Sequence, residues 1–144
     1  MTAATLIIDA SALVKLLVGE PDSEKYALAI RDGRRLVAPA HILAETGEVV
    51  SRKIRAGHVD AAQLRAIVQQ LETELEVLPL VDLLEEAVGI ALDTGASVYD
   101  CLYVAAASRH SRPLLTADAR LISCLAGTRY EPLLIPLDSA NAPR

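Results

Sequence analysis

The chain has no tryptophan and no phenylalanine, and its only aromatic rings besides histidine belong to 4 tyrosines. Without large rings, the core must be packed from Leu, Ile, Val and Ala. The same scarcity argues against the aromatic platforms on which single-strand binders stack bases. Cysteine is nearly as rare. Cys101 and Cys124 form no C-x-x-C pair, so they do not read as a zinc site, and in apolar helical surroundings they read as small buried hydrophobes. Neither G-x-G-x-x-G nor G-x-x-x-x-G-K-[ST] occurs, so dinucleotide and P-loop chemistry lack their phosphate cradles. Ser123 and Cys124 have no histidine in a motif context, which leaves a nucleophile–histidine enzyme without support. No apolar run approaches the length of a bilayer span, and the start MTAATLIID has no basic leader. The expectation is a cytoplasmic protein with no membrane role.

What is present suits one domain. The 144 residues are 52% hydrophobic, enough for a sizeable core, and no repeat or low-complexity tract interrupts them. The net charge of −5 is unevenly spread. Residues 1–72 carry 9 basic and 9 acidic side chains, whereas residues 73–144 carry 5 and 10. Such a protein is no generic phosphate binder, so a nucleic-acid substrate would require a metal ion or a local basic patch.

Along the chain, short apolar runs alternate with helical patterns. TLIID (Thr5–Asp9) reads as a buried strand, followed by a short helix over Ala12–Val18 with Ser11 as its N-cap. Pro21 and Asp22 open a second helix running to about Asp32. Leu36–Ala38 reads as another strand. The pattern from His41 to Ala56 is helical, with Glu45 on the apolar side and Glu48, Arg52 and Arg55 toward solvent. Asp60 is expected to cap a helix reaching about Thr73. Strand Leu75–Leu80 and helix Leu83–Thr94 follow, then helix Ser97–Ser111, strand Pro113–Thr116, helix Ala119–Leu125 and a last strand near Pro132–Leu137. This order predicts an α/β fold: a single parallel β-sheet flanked by helices on both faces, spanning residues 1–138, with a flexible tail over 139–144.

Three aspartates follow strands or open helices: Asp9, Asp100 and Asp118. If the strands ending at Asp9 and Thr116 are neighbours, their carboxylates converge at one sheet edge, where open α/β sheets place ligands. Converging carboxylates call for a hard divalent cation, and an all-oxygen set suits Mg²⁺ or Mn²⁺ rather than Zn²⁺. Each aspartate also has a purely local use. Asp9 can make an Asx-turn, Ser97-x-x-Asp100 resembles a capping box, and Asp118 can cap the following helix. Glu45 is harder to assign locally, because an inward carboxylate requires a partner. His41, His58 and His110 share no metal spacing, and Arg34-Arg35 and Arg52-Lys53 read as solvated surface.

The blocks IIDASALVKLL, LAETGEVV, SVYDCLYVAAA and LLTAD resemble, in this order and spacing, those of PIN-domain ribonucleases. In particular the chain resembles the VapC-type toxins of bacterial toxin–antitoxin pairs, over nearly its whole length. The resemblance implies a Mg²⁺-dependent endoribonuclease, with Mn²⁺ able to substitute. Position by position, Asp9, Glu45, Asp100 and Asp118 match the acidic, metal-holding quartet, and Ser11 and Thr116 match its supporting hydroxyls. Cys101 stands where Ala is often found. The resemblance also implies an RNA substrate, a homodimer, and a cognate antitoxin covering the acidic pocket. Two other readings stay open: a catalytically silent PIN-fold module that binds RNA or protein, and a small-molecule metallophosphatase.

Overall fold

A computed structural model describes residues 4–30, 33–135 and 137. Four strands form one sheet: β1 (Thr5–Ile8), β2 (Arg35–Pro39), β3 (Leu75–Leu78) and β4 (Leu114–Leu115). Their order is β3-β2-β1-β4, and every pairing is parallel. Seven helices connect them among the described residues: α1 (Ala10–Val18), α2 (Ser23–Ile30), α3 (Ile42–Arg55), α4 (Leu64–Glu74), α5 (Val81–Thr94), α6 (Val98–His110) and α7 (Ala119–Leu125). The chain steps outward from β1 to β2 to β3, then returns across the sheet to β4 on the far side of β1. With the right-handed crossovers that parallel strands adopt as a rule, this order puts α1–α4 on one face and α5–α6 on the other, the two-faced arrangement that the alternating pattern predicted.

Burial explains why the central strands show no alternation. Leu6, Ile7, Ile8, Leu114 and Leu115 are fully buried, as strands covered on both faces must be. Helix α6 is buried without a break from Cys101 to Ala107. Its Ala105-Ala106-Ala107 run lets backbone approach backbone where bulkier side chains would not fit. β3 is one of the two edge strands, and there Glu76 and Val77 are exposed, so coverage thins at that border.

Two local expectations need correction. The last strand is absent as a strand among the described residues. Glu131–Leu133 forms a 3-10 turn, with Pro132 in its first positions, and Leu134 alone bridges Leu114 in parallel register. Proline suits a helical start and cannot donate to a sheet ladder, so the pattern shrinks to one bridge. Pro136 and the tail 139–144 lie outside the described residues, as does Asp32, the anticipated end of α2. The second correction concerns the cap of α1, described with the site. Asp60 does cap the next helical segment, with Gln63 completing a capping box. No helix among the described residues is long and apolar enough to cross a membrane.

Candidate active site

β1 and β4 are neighbours whose onward connections leave in opposite directions, so a crevice opens between their C-terminal ends. Asp9 sits at the end of β1 and is 3% exposed. Its Oδ1 accepts the Ser11 hydroxyl at 2.6 Å and the Ala12 N–H at 3.0 Å, while Oδ2 accepts the Thr116 hydroxyl. Asp9, not Ser11, is thus the N-cap of α1. Its extended backbone aims the carboxylate forward onto the first turn, and Ser11 falls inside that turn. Released from capping, Ser11 Oγ accepts the Ala117 N–H at 2.9 Å, and Thr116 Oγ1 accepts the Asp118 N–H at 3.0 Å. Each hydroxyl donates to Asp9 and accepts from the loop after β4. Together they tie the two strand ends to one carboxylate.

Asp118 does cap α7, as the local reading allowed: its Oδ1 accepts the N–H groups of Arg120 at 2.9 Å and Leu121 at 3.3 Å. The same side chain also lines the crevice. Capping and pocket-lining are compatible here, because the two capping bonds use a single oxygen. Asp100 is half a capping box. Ser97 Oγ accepts the Asp100 N–H at 3.1 Å, and no reciprocal bond from the Asp100 carboxylate to the Ser97 N–H forms among the described residues.

Glu45 has the partner that an inward carboxylate needs. Its Oε1 accepts the hydroxyl of Tyr103 at 2.5 Å, across from α3 to α6. The buried His41 ring packs on the Tyr103 ring with centroids 4.6 Å apart. His41 Nε2 lies 2.8 Å from the Tyr99 carbonyl and 3.7 Å from Glu45 Oε1.

Asp9, Ser11, Glu45, Glu48, Arg52, Asp100, Tyr103 and Asp118 line one pocket of about 290 Å³. Thr116 lies buried beneath it. The four acids suggested by sequence thus border a common space, with Ser11 at the wall and Thr116 under the floor. Sequence reasoning missed Tyr103, and it placed Glu48 and Arg52 toward solvent, where both are exposed, without seeing that they also line the pocket. Arg52 stays exposed yet borders the acids. Spacing carried both signals. Tyr103 is three residues after Asp100, and Glu48, Val49 and Arg52 stand three, four and seven residues after Glu45, on one helical face. Arg109 and Arg112, at the end of α6 and just beyond it, are absent from this pocket's lining. Arg109 donates to the Asp82 carbonyl, and Arg112 lines a larger groove of about 750 Å³ at the other end of β4, with acids and bases intermixed. That groove lacks the acidic excess of the small pocket, where five carboxylates meet one arginine.

Electrostatics set the small pocket apart. Burial pushes the Asp9 carboxyl up to about 6, against hydrogen bonds from Ser11, Thr116 and Ala12 that pull it down, and the Asp118 charge adds to the rise. Asp100 is also raised, by burial first and then by Asp118, with Ser97 opposing and Glu45 adding. Burial and then the Glu45 bond hold the Tyr103 phenol well above its ordinary range, so it remains a donor. Among the described residues no group of three or more His, Cys, Asp or Glu side chains is already gathered so as to hold a metal ion. The donor set still fits a hard cation: every acid presents oxygen, and neighbouring carboxylates add to the rise that burial imposes on Asp9 and Asp100.

The PIN domain family model matches residues 6–124, and the chain belongs to that family. It is similar to Ribonuclease VapC3 of Pyrobaculum aerophilum, 29% identical over 119 residues that cover 81% of this chain and 91% of that protein. Among solved structures, PAE2754 from Pyrobaculum aerophilum superposes with a TM-score of 0.64 at 24% identity, covering 87% of this chain and 82% of that one. A toxin–antitoxin complex from Klebsiella pneumoniae gives 0.59 at 15% identity over 94% and 98% of the two chains. VapBC2 from Rickettsia felis, bound to a promoter DNA fragment, gives 0.60 at 15% over 91% and 96%. At these identities the superpositions establish a shared fold.

Proposed function

We propose that this chain is an endoribonuclease dependent on Mg²⁺ or Mn²⁺, and the toxin of a toxin–antitoxin pair. The observation that carries the reading is the placement of Asp9, Glu45, Asp100 and Asp118 around one pocket at the switch point of the sheet. It is supported by membership of the PIN family, by similarity to a ribonuclease, and by the toxin–antitoxin complexes among proteins of the same fold.

In this reading Asp9, Asp100 and Asp118, with Glu45, hold the ion. When bound, such an ion supplies an activated water and neutralises charge developing on the phosphate oxygens. The chain's own residues do the rest. Ser11 and Thr116 keep Asp9 oriented by donating to both of its oxygens. Asp118 is fixed by its cap to α7, so its free oxygen keeps a constant direction. Arg52, at the pocket wall, supplies a cation for the phosphodiester, which an acidic protein needs locally. A homodimer and an antitoxin segment lying over the pocket complete the proposal.

The test is cleavage of RNA by purified protein freed of any antitoxin. Activity is expected with Mg²⁺ or Mn²⁺, lost in EDTA, and restored by added Mn²⁺. Robust cleavage by protein shown to be metal-free would overturn the metal reading. Binding of RNA without cleavage at any Mn²⁺ concentration would favour the silent module. Hydrolysis of small phosphate esters but not RNA would favour the phosphatase.

A further inference from the structure

Three of the five acids that line the pocket are anchored by an identifiable side-chain hydrogen bond. Asp9 has Ser11 and Thr116, Asp118 has the first turn of α7, and Glu45 has Tyr103. The last anchor differs in kind. Glu45 carries the longest and most flexible of these side chains, and its donor comes from a different helix, 58 residues further on. Tyr103 lies three residues after Asp100 and is 1% exposed, so the helix that carries one pocket acid also holds another. The phenol is itself fixed. Its ring is stacked on His41 at a 36° tilt, and the Tyr99 carbonyl 2.8 Å from His41 Nε2 requires that nitrogen to be the donor. His41 directly precedes α3 and Glu45 lies in its first turn. The contacts therefore close a loop from α3 to α6 and back.

Building on the functional reading above, we propose that Tyr103 is a positioning residue for Glu45. It pins Oε1 and leaves Oε2 as the oxygen available to a divalent cation shared with Asp9, Asp100 and Asp118. Because no three acids already form a cage among the described residues, the direction of the Glu45 carboxylate decides how many oxygens an entering ion meets. Removal of a group that orients a metal ligand typically weakens metal affinity by about 10–100-fold.

Tyr103→Phe deletes the hydroxyl and keeps the ring that packs on His41. Mn²⁺ affinity is measured by titration calorimetry on the full chain, for wild type, Tyr103→Phe, Glu45→Gln and the double variant. The expected result is a loss on the order of tenfold for Tyr103→Phe, and almost no further loss when Glu45→Gln is already present, since the phenol acts through that carboxylate. Wild-type affinity in Tyr103→Phe, or an equal loss in both backgrounds, would overturn the proposal. A wild type that binds Mn²⁺ but cuts no RNA would sink the nuclease reading and leave this measurement intact. If wild type binds no Mn²⁺, the metal reading falls. Metal-free crystal structures then decide the anchor, and an unmoved Glu45 in Tyr103→Phe refutes it.

Discussion

Asp9→Asn is the sharpest perturbation that the site offers. In the metal-free protein the Asp9 carboxyl titrates near 6, against an ordinary value of 3.8. Between those values the folded chain keeps a proton that the unfolded chain has released. Stability therefore falls as pH rises from about 4 to 6, and the loss is complete above that window. At roughly 1.4 kcal/mol per pH unit the gap corresponds to about 3 kcal/mol. The group is almost fully buried, so solvent screening takes little from this figure. Asparagine matches the protonated acid in size and can still accept from Ser11 and the Ala12 N–H, while Thr116 rotates to accept from the new amide. The variant is thus expected to melt roughly 6–12 °C above wild type at pH 7.5 in EDTA, using about 2–4 °C per kcal/mol for a chain of this size. The difference should vanish toward pH 4. Calorimetric melts from pH 4 to 8 in EDTA measure both features. A variant melting at or below wild type at pH 7.5, or a difference independent of pH, would refute the reasoning that burial and repulsion strain this carboxylate.

Two further substitutions address the rest of the pocket. Asp100→Asn keeps the backbone N–H that Ser97 caps, so the fold should persist with an EDTA melting point equal to or above that of wild type. RNA cleavage should be abolished, and near-full cleavage would remove Asp100 from the site. Arg52→Gln should weaken RNA binding and lower the log–log salt slope by about one, the signature of a single lost phosphate contact. Arg55 is absent from the pocket lining, so Arg55→Gln serves as the comparison, and equal effects from the two would place the RNA path elsewhere.

The sequence by itself determined most of what depends on near neighbours. Apolar runs without alternation marked β1 and β4, helical spacing marked α3, and Asp60 announced its cap, because these signals involve residues within a turn of one another. The positions of the four acids after strands or in first helical turns were legible for the same reason. Pattern also misled locally. Ser11 resembled a cap until Asp9 took that role one turn boundary earlier, and Pro132 turned an expected strand into a 3-10 turn. What only the tertiary structure decided is which of these residues meet. The order β3-β2-β1-β4 places Asp9 beside Thr116, more than a hundred residues away in the chain, and the α3–α6 contact gives Glu45 its phenol. Arg52 became a pocket residue only once α3 was docked with its Glu45 face toward the crevice. Such pairings depend on how right-handed crossovers stack helices on a twisted sheet, and the energy that selects them is burial summed over the whole core. No local window of sequence contains that sum, so the acids could be read along the chain, while their convergence rested on a condition, that β1 and β4 be neighbours, and on the family resemblance.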